Sequence, residues 1–127
     1  MELNENKIAE IILDCCFKIH RALGPGLFES VYEEVLCYEL SLKKIHYIRQ
    51  QIIPVWYENI KMEMGFRADL IVEGMVIVEL KSIESLASVH AKQVITYLKL
   101  TDIRLGLLLN FNEALFKNGI KRIVNQL

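Results

Sequence analysis

The segment Met75-Val76-Ile77-Val78-Glu79-Leu80-Lys81 limits the fold more than any other stretch of this chain. Read as a strand, it places Met75 and Ile77 on one face and Val76, Val78 and Leu80 on the other. A strand apolar on both sides belongs in the middle of a sheet covered on both faces. Glu79 and Lys81 fall on the Met75–Ile77 face, and charges leading off a buried strand are costly unless they have partners. The pair therefore points to a cleft at the end of that strand.

The flanking segments supply the cover. Ile8, Ile11, Ile12, Cys15, Ile19 and Leu23 recur at helical steps from about Asn6 to Leu23, until Gly24-Pro25-Gly26 stops the pattern. A second helix is expected over Glu29–Lys43, with Val31, Val35, Leu36 and Leu42 apolar, acids in its first turns and lysines at its end. The period then changes. Strands are expected over Ile45–Ile53 with Pro54–Tyr57, over Lys61–Phe66 (where Lys61, Met62, Glu63 and Met64 alternate), over Asp69–Val72 and over Met75–Lys81, with turns at Glu58-Asn59 and Glu73-Gly74. Ser85–Ser88 offers a cap for a third helix, Val89–Leu100. Leu105–Leu109 reads as a buried strand, Asn110–Asn118 as a loop or short helix, and Ile120–Val124 as an edge strand. The expected class is α/β (α+β): one mixed sheet flanked by helices, in a single domain over residues 1–127.

Composition narrows the function classes. No run approaches the ~18 apolar residues of a membrane span, and the polar, acidic N-terminal segment is unlike a secretory signal. Three cysteines without zinc or CxxC spacing read as reduced thiols, which suits the cytoplasm. A net charge of −1 is not the footprint of a protein that coats nucleic acid. Positive charge for such a ligand would have to gather locally around a cleft.

Asp69 lies on the strand before Glu79, and whether the two carboxylates share a face depends on the hairpin between them. A two-residue turn at Glu73-Gly74 would pair Asp69 with Val78 and put the acids on opposite faces. A three-residue loop with Gly74 left-handed would put them together. Converging carboxylates repel unless a cation joins them; Mg²⁺ takes such oxygen ligands, and Mn²⁺ is expected to substitute. Lys81 could then orient an attacking water. Spacing alone leaves an ordinary cross-strand salt bridge equally open.

Gly26-Leu27-Phe28-Glu29-Ser30-Val31-Tyr32 is a GxxExxY string. With Ile19–Gly26 before it, then Arg67-Ala68-Asp69-Leu70, Val78–Lys81, His90-Ala91-Lys92-Gln93, Tyr97-Leu98-Lys99 and Gly106–Phe111, the chain resembles the GxxExxY protein family of the PD-(D/E)xK nuclease superfamily. The resemblance implies a restriction-endonuclease-like core in α-β-β-β-α-β order. It implies metal binding by Asp69, Glu79, the Leu80 backbone carbonyl and Glu29, directly or through water. Lys81 matches the catalytic lysine, and Gln93 and Tyr97 match the QxxxY element of RecB-type nucleases. Arg67-Ala68 stands where the superfamily usually has proline before the aspartate.

Other residues carry two readings each. Glu29 and Tyr32 are either an exposed helix flank or part of the site. His20 is a hydrogen-bonded structural histidine or supports the site from behind, and His90 reaches a phosphate or only begins a helix. Trp56 and Tyr57 read as core or edge packing in preference to base stacking. The function expected is a Mg²⁺-dependent nuclease acting on DNA rather than RNA. The alternative is a non-catalytic nucleic-acid- or protein-binding module on the same fold. So small a chain leaves room for a homodimer or a protein partner.

Overall fold

Two helices, three strands, a helix and two strands follow one another in a computed structural model that describes residues 2–127, without the side chains of residues 63 and 64. Helix α1 (Glu5–Leu23) begins at Asn4, whose Oδ1 accepts from the Lys7 N–H at 2.8 Å, and ends at Gly24 with φ 71°. Helix α2 is Glu29–Leu42. Strands β1 (Tyr47–Tyr57), β2 (Ile60–Val72) and β3 (Val76–Lys81) lead to helix α3 (Ser88–Thr101). Strands β4 (Leu105–Asn110) and β5 (Ile120–Val124) complete the sheet, with a 3-10 turn at Phe116–Gly119 between them.

The five strands lie in the order β1-β2-β3-β4-β5, antiparallel except for the parallel β3–β4 pair that α3 connects. Strand β3 is central, as its two apolar faces require. Helices α1 and α2 cover Leu70, Val72, Val76, Val78, Leu105 and Leu107 on one face. Helix α3 covers Ile71, Ile77 and Leu108 on the other. It sits down tightly, since a Cβ on Gly106 would fall 2.5 Å from Val94 Cγ1.

Several expectations are refined. The two expected strands around Lys61–Phe66 and Asp69–Val72 are one strand of 13 residues, because no turn residue separates them. The alternation expected over Lys61, Met62, Glu63 and Met64 involves the side chains of Glu63 and Met64, which lie outside the described residues. Glu58 and Asn59, both left-handed (φ 49° and 67°), join Tyr57 to Ile60 in a two-residue turn. Pro54 sits on edge strand β1 where the register shifts between Ile53 and Val55, a position where its missing N–H does no harm. Trp56 and Tyr57 are exposed on that hairpin, not buried in the core. Cys15, Cys16 and Cys37 are free and buried.

One irregularity bears on the site. Along β1, Tyr47 packs on the α1–α2 side, yet Ile53 packs on the α3 side. Along β2, Leu70 and Val72 pack on the α1–α2 side, yet Ala68 and Phe66 pack with α3. Strict alternation would keep each set on one face. The inversion falls at Gln50 and Asp69, which face each other between the pairs Arg49–Leu70 and Gln51–Ala68. The register is the same on both sides of them, so both strands change phase together and neither gains a residue.

Candidate metal-binding and catalytic site

The hairpin that decides the site runs from Val72 to Val76, which are paired. Its loop is Glu73-Gly74-Met75, with Glu73 and Gly74 left-handed (φ 54° and 67°) and the Met75 N–H donated to Val72 O at 3.0 Å. This is the three-residue loop that puts Asp69 opposite Glu79. Two contacts of Glu73 with His46 hold it: the Glu73 N–H donates to His46 O at 2.8 Å, and the His46 N–H donates to Glu73 Oε2 at 2.6 Å.

Regular β2–β3 pairing ends at Leu70–Val78, and the acids take over where it stops. Glu79 Oε1 accepts from the Asp69 N–H at 3.2 Å, and Asp69 Oδ2 accepts from the Leu80 N–H at 2.8 Å. Each carboxylate thus satisfies a backbone donor of the other's strand, in place of the missing ladder bonds. On the far side of β3, Lys81 O accepts from the Phe111 N–H at 2.9 Å. Strand alternation then turns the Leu80 N–H and C=O toward β2, the side on which the Leu80 N–H meets Asp69.

Burial makes this pair electrostatically unusual. Glu79 is 6% exposed, and that burial, followed by repulsion from Asp69, raises its pKa to about 8. Asp69 is raised as well, chiefly by burial and also by the Glu33 charge. Among the described residues neither acid makes an ion pair, although the Lys81 charge is close enough to favour ionised Glu79. Two adjacent carboxylates, Glu79 buried and Asp69 half-buried, offer oxygen ligands only and suit a hard divalent cation.

Helix α3 brings Tyr97 to the same place. Tyr97 is buried against Phe66 at 4.9 Å between ring centroids, and its hydroxyl pKa is raised by burial and by the charges of Glu79 and Asp69. Gln93, one turn earlier, is exposed and makes no side-chain hydrogen bond among the described residues.

The GxxExxY string forms a clamp beside β3. Gly26 is left-handed (φ 101°), and Tyr32 is fully buried, so the exposed-flank reading fails for it. Its hydroxyl donates to Gly24 O at 2.6 Å and accepts from the Leu27 N–H at 3.2 Å, while its ring stacks on Phe111 at 4.4 Å. Ser82, next after Lys81, donates its hydroxyl to Leu27 O at 2.6 Å and its N–H to Glu29 Oε1 at 3.4 Å. Glu29 therefore lies against the chain leaving β3. Among the described residues, no three Asp, Glu, His or Cys side chains converge closely enough to hold one metal ion together.

The histidines have structural partners. His20 is buried with Nε2 2.8 Å from Glu113 O, tying the end of α1 to the segment after β4. His90 Nδ1 accepts from the Ala87 N–H at 2.9 Å, so the imidazole closes the start of α3 and the expected serine cap does not form.

Three residues at the site escape a reading by motif. Buried Asn110 accepts from the Ile83 N–H and donates to Ile83 O, at 3.1 and 3.0 Å, fixing the chain beyond Lys81. An asparagine closing an apolar run was its signal. Glu33, one turn after Glu29, is 6% exposed and takes the Arg49 guanidinium at 2.9 and 3.0 Å. Gln50 donates to Glu33 Oε1 at 2.6 Å and to Asp69 Oδ1 at 3.4 Å.

No curated protein and no solved structure matches this chain. The model of the PD-(D/E)XK nuclease superfamily matches residues 6–123, from the start of α1 into β5. With that coverage, and with a mixed sheet and helices in restriction-endonuclease-like order, the chain belongs to the PD-(D/E)XK nuclease superfamily.

Proposed function

We propose that this chain is a Mg²⁺-dependent nuclease of the GxxExxY type that hydrolyses phosphodiester bonds, of DNA in preference to RNA, in the cytoplasm. The observation that carries this is the interlocked Asp69–Glu79 pair at the parting of β2 and β3, with Lys81 one strand step beyond. Asp69, Glu79 and the Leu80 carbonyl would hold the cation, and Glu29 would reach it through water. A bound Mg²⁺ would lower the pKa of its water and neutralise charge on the phosphate. Lys81 supplies a compact positive charge to orient the nucleophile and stabilise the phosphorane-like charge. Tyr97 and Gln93 bound the cleft from α3, where they would meet the substrate. No helix among the described residues is long and apolar enough to cross a membrane.

The test is a cleavage panel of single-stranded, duplex and branched DNA and of RNA, with Mg²⁺ or Mn²⁺, beside calorimetric Mn²⁺ titration. Lys81→Ala should abolish cutting while the fold and the Mn²⁺ site remain, and Asp69→Ala should lose the Mn²⁺ site. Equal cutting by wild type and Lys81→Ala would sink the reading. Nucleic-acid binding without any cutting would leave the non-catalytic module in its place.

A further inference from the structure

Gln50 is a non-glycine residue in the left-handed region (φ 53°) within a β-strand. Such a conformation costs of order 1 kcal/mol and persists only where surrounding contacts impose it. It stands opposite Asp69, where both strands invert their alternation. Its carboxamide nitrogen has two hydrogens, and it meets two acceptors: Glu33 Oε1 at 2.6 Å and Asp69 Oδ1 at 3.4 Å. Behind it, the Arg49 guanidinium holds Glu33 Oε2 through two nitrogens, at 3.0 and 2.9 Å, so Glu33 is a fixed anchor. In front of it, the other Asp69 oxygen is held by the Leu80 N–H at 2.8 Å. Both oxygens of Asp69 are therefore oriented, one by β3 and one by Gln50.

We infer that Gln50 is a positioning residue: its strained backbone turns the carboxamide out of the strand to link the Arg49–Glu33 anchor to Asp69 and fix that carboxylate for a divalent cation. This rests on the reading of Asp69 and Glu79 as a cation site. A regular β conformation at residue 50 would send the side chain along the ordinary pleat, and Asp69 Oδ1 would lose its orienting donor. Partners behind a metal ligand typically matter ten- to a hundred-fold in metal affinity.

Two substitutions separate positioning from mere support. Gln50→Gly removes the carboxamide and relieves the left-handed strain, so it should melt above Gln50→Ala, which removes the carboxamide and keeps the strain. Mn²⁺ affinity, measured by calorimetry on the full chain, should fall roughly ten-fold or more in both. Without metal, the Gln50 side-chain amide resonances, assigned by their loss in Gln50→Gly, should move in Glu33→Gln and in Asp69→Asn. Mn²⁺ affinity within two-fold of wild type in both Gln50 variants, or amide resonances that move in neither acid variant, overturns the proposal. A wild-type chain that takes no Mn²⁺ at all overturns the cation site itself, and the positioning role with it.

Discussion

Replacing Glu79 by glutamine should stabilise the metal-free protein at alkaline pH while destroying its cation site. Glu79 is nearly fully buried beside Asp69, and its pKa rises from 4.5 to about 8, burial being the larger cause. The folded state thus binds this proton more tightly than the unfolded state. Its contribution to stability is complete below about pH 4.5 and is lost as pH rises through about 8. At ~1.4 kcal/mol per unit, the charged form carries a penalty on the order of 5 kcal/mol above that range. Glutamine escapes the charge but still buries an amide whose NH₂ needs a partner, so about half should be recovered, ~2 kcal/mol. Its Oε1 can keep the Asp69 N–H that Glu79 accepts now. The assay is urea unfolding in chelator at pH 4 and pH 9. Glu79→Gln should be less stable than wild type by ~3 kcal/mol at pH 4, where the neutral carboxyl carries no penalty, and more stable by ~2 kcal/mol at pH 9, the latter roughly 6–10 °C in melting temperature. A difference that does not change with pH, or a variant less stable at pH 9, would refute the reasoning.

At pH 7 a carboxyl titrating at about 8 is mostly protonated, so binding Mn²⁺ should release most of a proton. Calorimetry in buffers of different ionisation enthalpy reads this directly, and no buffer dependence would remove Glu79 from the ligand set. Gly106→Ala drives a methyl into Val94 on α3 and should cost ~1–3 kcal/mol by urea unfolding, whereas no loss would show that α3 can lift off β4 freely. Tyr32→Phe leaves the stacking on Phe111 but removes the hydroxyl from Gly24 O and the Leu27 N–H. It should cost about 1–2 kcal/mol and speed amide exchange at Leu27; unchanged exchange would contradict the clamp.

The helices and the central strand were legible because burial repeats at a fixed period: Ile8, Ile12, Cys15 and Ile19 mark α1, and the two apolar faces of Val76–Leu80 place β3 between neighbours. The Asp69–Glu79 convergence was legible only as a condition on loop length, which Glu73-Gly74-Met75 satisfies. Glu33 was hidden because a carboxylate among the acids of an early helical turn has an ordinary dipole rationale, and its partner Arg49 is sixteen residues away. Gln50 was hidden for a different reason. Glutamine carries no left-handed preference, so its backbone is set by tertiary contacts and not by local propensity. Of the core and edge positions open to Trp56 and Tyr57, the structure gives the edge, because the outer β1–β2 hairpin lies beyond the core that the helices cover.

The Glu73-Gly74-Met75 loop has a consequence best put in genetic terms. Its composition can drift as long as the left-handed positions are tolerated, but its length cannot, because side-chain facing in a strand has a period of two. One in-frame codon lost or gained between Val72 and Val76 would keep every residue of the acid–lysine set and still turn Asp69 away from Glu79. Such an indel, far from any charged side chain of the site, is expected to be as damaging as a missense change in either carboxylate.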